Sequence, residues 1–314
     1  MKESDEFLIL KKYFKNLGSL YQDSSGILVG PGDDAGLFSV NNSELIFSTD
    51  VSNEGIHFPK NLQPDLIAYR ACAVAASDIP ACGASLKWLS ITLVSPTKNI
   101  SWLKKFAKGV QLFTKDYKVP VLGGDLIVGK DCSISVGVCG EVKEKLFISR
   151  SGAKIGDSIY LSGTLGLAKL GLKLSVSKRS NLSRKEKLAL MKFLKPKVHT
   201  ALGVNLRKIA NSCIDISDGL LGDLNHICVA SKVGAEIHVD SIPYEGSLQD
   251  ALTWGDDYEL CFTVPKNQEK KLNEISKITK TKVYKIGQII EKKGIKIYQG
   301  NREIFLKKNS FDHF

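Results

Sequence analysis

The chain has 314 residues, 43% of them hydrophobic, 25% charged and 8% aromatic, with a formal net charge of +11. This composition is that of a globular protein, it excludes a disordered, collagenous or disulfide-scaffold chain, and the length allows about two domains. No apolar run reaches the ~18 residues of a membrane helix, and the acidic start from Met1 to Glu6 lacks the basic-then-apolar layout of a signal peptide, so a soluble cytoplasmic protein is expected.

In chain order, Leu45 to Asp50 reads as a strand ending in a polar turn. Asp65, next to Pro64, is placed to cap a helix running to about Cys82. Trp88 to Val94 is a buried-strand run, and Ser101 to about Tyr117 an amphipathic helix. Val119 to Leu122 reads as a strand running into Gly123-Gly124, and Cys132 to Val142 alternates as a strand. The turn-rich stretch Ser151 to Asp157 marks a joint, which divides the chain into residues 1–149 and 150–314. Beyond it come a strand at 158–161, helices at about 166–176, 183–194 and 199–211, and a strand at 213–216. A helix at 219–231 carries Leu220, Leu221, Leu224, Ile227 and Cys228 on one face, and strands follow at 234–239, 258–264 and 283–290. The mixture predicts two α/β or α+β units.

The seven cysteines (72, 82, 132, 139, 213, 228 and 261) are odd in number and none has C-x-x-C spacing, so they read as small buried hydrophobes rather than a zinc or disulfide framework. Residues 265–314 carry 13 bases against five acids, whereas residues 1–100 carry eight bases against eleven acids. The basic tail admits an anionic partner, but its interspersed glutamates and few aromatics read as a solvated surface. No nucleic-acid module is present.

The acids of the front half are patterned. Asp33 and Asp34 lie in a glycine-rich turn, Asp50 ends a strand after Ser48-Thr49, Asp78 follows Ser77, and Asp125 follows Gly123-Gly124. Asp215 and Asp218 flank Ser217 between a strand and a helix. Carboxylates gathered in this number repel unless cations neutralise them, and an all-oxygen set without a His/Cys cluster suits Mg²⁺, hence polyphosphate. Each acid alone also reads as a turn or cap residue, Asp218 before Gly219 in particular. Arg150, one of six arginines against 38 lysines, suits a bidentate phosphate contact or a surface position at the joint. Trp254 to Leu260 packs Asp256, Asp257 and Glu259 with two aromatics, which suits a cationic aromatic ring or a turn into a strand. Neither a Walker A sequence nor a protein-kinase motif occurs.

Together these segments resemble the thiamine-monophosphate kinase family of the aminoimidazole-ribonucleotide-synthetase-like superfamily. The resemblance rests on Gly32-Asp33-Asp34-Ala35, Ser48-Thr49-Asp50 with His57-Phe58, Ala75 to Ile79 and Gly123-Gly124-Asp125. It continues through Arg150 to Asp157, Ile214 to Leu220, Gly255 to Leu260 and the terminal Asp312-His313-Phe314, in the family's order along nearly the whole chain. It implies ATP-dependent phosphorylation of thiamine monophosphate, several Mg²⁺ ions, and a homodimer joined through strands of an N-terminal mixed sheet, with a C-terminal α/β sandwich. It places metal ligands at Asp34, Ser48, Thr49, Asp50, Asp78, Asp125, Asp215 and Asp218. ATP contacts fall on Gly124, Asp125, Arg150 and Ser217, and substrate contacts on His57 and Asp256. Asp50, Asp125, Arg150 and Asp218 become the catalytic set.

Three positions depart from the family pattern. Trp254 stands where glycine is usual and Asp256 where glutamate is common. A substrate-stacking aromatic position near the C-terminus is Lys308, with Phe305 or Phe311 as substitutes. The alternatives are a superfamily relative with another acceptor (aminoimidazole ribonucleotide, selenide or a carbamoyl group), or an inactive homologue that keeps ATP and Mg²⁺. The first cysteine, Cys72, lies inside a helix, which argues against the selenide chemistry.

Overall fold

The computed structural model describes residues 27–29, 33–40, 43–177 and 179–306. The first half contains β1 (Ile27–Val29), β2 (Gly36–Val40), β3 (Ser43–Asn53), α1 (Pro64–Ala75), α2 (Asp78–Ala81), β4 (Ser85–Ser95), α3 (Ile100–Tyr117), β5 (Val121–Val128) and β6 (Ser133–Val142). Its six strands form one sheet in the order β1-β2-β3-β6-β4-β5. All neighbours are antiparallel except β4 and β5, which run parallel. Ile46, Ile134, Val136 and Val138 project from one face of this sheet into a core shared with Ala68, Ala71 and Cys72 of α1 and Phe106 and Phe113 of α3.

The second half contains β7 (Ser158–Ser162), α4 (Leu167–Ser175), α5 (Arg184–Leu194), α6 (Thr200–Leu206), β8 (Ser212–Asp215), α7 (Leu220–Ser231) and β9 (Gly234–His238). It continues with α8 (Leu248–Thr253), β10 (Leu260–Val264), α9 (Glu269–Ile278), β11 (Val283–Ile290), β12 (Gly294–Gln299) and β13 (Arg302–Ile304). The sheet order is β13-β12-β9-β11-β7-β10-β8. Alternation sends Ile159 and Leu161 of β7 to one face, against Leu220, Leu224 and Ile227 of α7. Tyr160 goes to the other face, with Phe262, Leu206 and Ile275. Ala81 and Ile148 of the first half join this second core, so the two halves share buried apolar surface. The mixed α/β class with two sheets is therefore the one the sequence predicts.

Four elements differ from the sequence reading. The helix expected over 65–82 is two helices, α1 and α2, and Gln63 rather than Asp65 takes the cap position, without a side-chain cap bond. Pro80 explains the break, because it has no N–H for the Ala76 carbonyl and its ring opposes a continuous helix. The β3 strand runs past Asp50 to Asn53, so Asp50 sits inside a strand. Gly123, Gly124 and Asp125 also lie inside a strand, β5, which pairs with β4. The helix expected over 199–211 is shorter, Thr200–Leu206. All seven cysteines are free and buried, and among the described residues no helix is long and apolar enough to cross a membrane.

Candidate active site

The acids converge where the two halves meet. Glu44, Ile46 and Ser52 of β3 are buried, and by alternation Ser48 and Asp50 share their face, toward the helices. Ser48 Oγ donates to Asp78 Oδ2 at 2.5 Å, joining β3 to the start of α2. Asp34 precedes β2, and Asp215 ends β8. Ligand oxygens of Asp34, Asp78 and Asp215 all lie within 4.8 Å of one another.

Arg150 clamps the opposite side. Its Nε and Nη2 donate to Asp34 Oδ1 at 2.9 and 2.5 Å, and its backbone N–H donates to Asp33. Asp33 also accepts from Ser149 Oγ at 2.6 Å, so residues 149–150 are tied to the 33–34 turn. Ser231 Oγ, at the end of α7, donates to the Arg150 carbonyl and accepts from the amides of Gly152 and Ala153.

The electrostatics are those of carboxylates short of cations. Burial first, then the neighbouring Asp215, pushes Asp34 up to about 7 against the pull of Arg150. Burial and Asp218 lift Asp50 to about 6. Burial lifts Asp215 to about 6, with Asp50 adding and a bond from Ser77 subtracting. Asp78 is held well above the usual range by burial, Asp50, Asp215 and Asp34. Asp34 Oδ2 is buried and accepts no hydrogen bond. An orphaned carboxylate oxygen beside the Asp78 and Asp215 carboxylates fits a hard cation such as Mg²⁺. The Cys82 thiol also lies within 4.8 Å of the Asp33 and Asp34 oxygens, but burial and those acids push it up and keep it protonated, a poor ligand.

Other expected residues lie elsewhere. Thr49 falls on the opposite face of β3 with Phe47 and Val51, and is exposed. Asp125 is in register with Thr92, Ser135 and Val51, so it too occupies that opposite face, three strands from β3, roughly 14 Å at the usual spacing. Every residue of β5 is exposed. A Cβ on Gly124 would sit 1.8 Å from the Ile91 carbonyl oxygen, so strand packing alone requires that glycine, whereas Gly123 faces open space.

The 254–259 segment is tied to the 215–218 loop. Asp256 N–H donates to the Ser217 carbonyl at 2.8 Å, and Tyr258 N–H donates to Ile216. Gly255 has φ of +82°, and a Cβ there would lie 2.0 Å from the Ser217 oxygen. All three acids of this segment face protein partners. Asp256 pairs with Arg70, Asp257 accepts from the Gly166 and Ala168 amides, and Glu259 accepts from Ser162 and Lys192, with His199 Nε2 at 2.8 Å. The segment is thus a turn into β10 with its acids committed internally, not an open acidic face for a cationic ring. Lys169 Nζ lies 3.9 Å from the centroid of the Trp254 ring.

His57 sits in the turn after β3. Its Nδ1 accepts from the Asn53 amide at 3.1 Å, so a neutral ring carries its proton on Nε2 as a donor. Gly219, not Asp218, holds the cap position of α7, and Asp218 N–H donates to Asp223 Oδ2 at 3.2 Å. Phe305 is 86% exposed, while Lys308, Phe311 and Asp312-His313-Phe314 lie outside the described residues. Asp33, Ser77, Asp223 and Arg70 also take part, with weaker sequence signals. Asp223 interrupts an apolar helix face, and Arg70 is the one charge between Asp65 and Asp78.

Two domain models of one protein group cover most of the chain. The N-terminal domain of AIR synthase related proteins matches residues 32–142, and their C-terminal domain matches residues 154–300. The full-length relatives are narrower. The thiamine-monophosphate kinase of Buchnera aphidicola subsp. Schizaphis graminum is 38% identical, with 99% of each chain covered, and that of Escherichia coli strain K12 is 34% identical, with 98% of each covered. Among solved structures, AaThiL complexed with AMPPCP and TMP superposes with a TM-score of 0.83 at 29% identity, over 100% of this chain and 99% of that one. The chain belongs to the thiamine-monophosphate kinase family and is a phosphotransferase.

Proposed function

We propose that the chain transfers the γ-phosphoryl group of ATP to thiamine monophosphate, giving thiamine diphosphate and ADP. The observation that carries the reading is the largely buried cluster of the Asp34, Asp78 and Asp215 carboxylates with its orphaned Asp34 oxygen, facing Arg150. The similarity to AaThiL, whose structure holds AMPPCP and TMP, supports the choice of substrates.

Asp34, Ser48, Asp50, Asp78, Asp215 and Asp218 would hold Mg²⁺, with several ions expected. Thr49 could add only its backbone carbonyl from the same strand. When bound, Mg²⁺ neutralises carboxylate and phosphate charge and aligns the phosphates.

The chain's own residues do the positioning. Arg150 presents a planar fork, held on Asp34, that matches a phosphate as well as a carboxylate. Ser217, on the tight loop between β8 and α7, lies on the nucleotide side. His57 offers its Nε2–H to the acceptor phosphate, and Asp256 marks the same side. That acceptor has a second pKa near 6, so at neutral pH it arrives largely deprotonated and needs no strong general base. The main obstacle is bringing two polyanions together in line, which placement and charge overcome.

We propose further that the chain works as a homodimer. The exposed strand β5 carries Val121, Leu122, Leu126, Ile127 and Val128 at 43–67% exposure along a sheet edge. Such an edge calls for a partner. Its Asp125, turned away from this chain's own acids, is then available to the partner's site, with Gly124 beside it on the same edge strand. We keep the division at 149/150, between the sheet that ends at Val142 and the one that begins at Ser158. A requirement for ATP and the seven free thiols support a cytoplasmic setting.

The test is incubation with Mg²⁺, ATP and thiamine monophosphate, scored chromatographically for thiamine diphosphate. Stoichiometric thiamine diphosphate and ADP support the assignment. Mg²⁺-dependent ATP binding without thiamine diphosphate would keep the fold and overturn the acceptor.

A further inference from the structure

Arg70 lies in the middle of α1, in a run that is otherwise apolar from Leu66 to Ala76 apart from the Tyr69 hydroxyl, and it is 4% exposed. A buried guanidinium must have its donors satisfied, and the partners here come from three separate segments. Nε donates to the His57 carbonyl at 3.4 Å, in the turn after β3. Nη1 donates to the Phe193 carbonyl at 2.5 Å, near the end of α5, and the guanidinium carbon lies 4.2 Å over the Phe193 ring. Nη2 donates to the Asp256 carboxylate.

Two of these segments lead to the proposed site. The His57 backbone that Arg70 holds carries the imidazole proposed above as the acceptor contact. Asp256 has φ of +64°, a left-handed conformation that a non-glycine residue keeps only when its surroundings impose it. Arg70 fixes its side chain, while its amide is fixed on the Ser217 carbonyl. Ser217 sits between Asp215 and Asp218. One chain of contacts therefore runs from His57 through Arg70 and Asp256 to the metal-side loop.

We infer that Arg70 is a positioning residue that, paired with Asp256, sets the thiamine-phosphate side of the site against the 215–218 loop. The inference rests on the proposed reading of His57 as an acceptor contact. It gives Asp256 an indirect role, because its carboxylate is committed to Arg70. Lysine cannot replace the arginine, since one ammonium does not present three fixed donor directions to three acceptors.

The test uses the full chain with Arg70→Lys, Arg70→Gln, Asp256→Asn and the Arg70→Gln/Asp256→Asn double variant. Expected is a rise in KM for thiamine monophosphate of about 10- to 100-fold in each folded variant, the scale of a small misplacement. KM for ATP and Mg²⁺-dependent ATP binding should move less than about threefold. The double variant should lose no more than the worse single one, because both remove the same contact. If Arg70→Gln fails to fold, Asp256→Asn and Arg70→Lys carry the test, since they retain shape or charge. Folded variants with lowered Tm and unchanged KM for thiamine monophosphate would reduce the pair to a structural tie and overturn the inference. Equal rises in both KM values would do the same. If the parent chain makes no thiamine diphosphate, the functional reading itself fails and takes the acceptor role with it. A thermal-unfolding double-mutant cycle would then assign the pair to stability alone.

Discussion

The carboxylate cluster makes a prediction about the metal-free protein. Asp34 titrates at about 7 in the fold against an ordinary 3.8, and Asp50 and Asp215 at about 6. A carboxyl whose folded value is raised binds more protons folded than unfolded, so its stabilising share is complete below pH 4 and is lost as pH rises through the folded value. For Asp34 alone, the loss between pH 5 and pH 8 is about 3 kcal/mol. At about 2–4 °C per kcal/mol for a chain of this size, Tm in EDTA should fall by roughly 6–12 °C over that interval. Asp34→Asn should flatten the slope, because an amide stays neutral. Saturating Mg²⁺ should restore stability at pH 8, by about 2.7 kcal/mol at a hundred times its Kd. The assay is scanning fluorimetry across pH with EDTA or Mg²⁺. A Tm in EDTA that stays flat or rises from pH 5 to 8, or is insensitive to Mg²⁺ at pH 8, would refute the reasoning.

Further outcomes follow from single contacts. Burial opposes ionisation of Glu259, but His199 and Lys192 outweigh it and hold the group at about 2, so its stabilising share is present above 4.5 and lost as pH falls through 2. Glu259→Gln should cost about 3 kcal/mol at pH 7 and less near pH 2, measured by urea unfolding. Gly124→Ala should destabilise by about 3 kcal/mol through its clash with Ile91, whereas Gly123→Ala should unfold at the parent's Tm. Leu126→Lys on the exposed β5 edge should turn a dimer into a monomer by light scattering and remove activity with it. A monomeric, fully active parent chain would contradict that arrangement.

Much of the architecture is legible because it depends on local pattern. The β3 alternation and the Leu220, Leu221, Leu224, Ile227 face of α7 each reflect one element packing on one layer. The acids of the site are legible because Asp33, Asp34, Asp78, Asp215 and Asp218 recur at turns and element ends, and carboxylates gathered in that number call for cations even though each alone reads as a turn or cap residue. Contacts over long sequence distance are not legible. Gly124 resembles a phosphate-approach glycine, yet its need comes from Ile91, which only the β4–β5 register brings near. The side of β3 that Thr49 faces follows from which surface the helices cover. Asp256, Asp257 and Glu259 read as an open acidic cluster because their partners Arg70, Gly166 and Lys192 lie far off in sequence. The break between α1 and α2 was available in Pro80, but the run of small residues around it masks the signal.

The central claim is that these buried carboxylates hold Mg²⁺ for phosphoryl transfer to thiamine monophosphate. The most direct measurement is thiamine diphosphate formation as a function of Mg²⁺, with ATP and acceptor saturating, for the parent chain and Asp50→Asn. The account predicts Mg²⁺-dependent product from the parent and a loss of at least about 100-fold in the folded variant. Equal turnover by Asp50→Asn, or product formation indifferent to Mg²⁺, would contradict it.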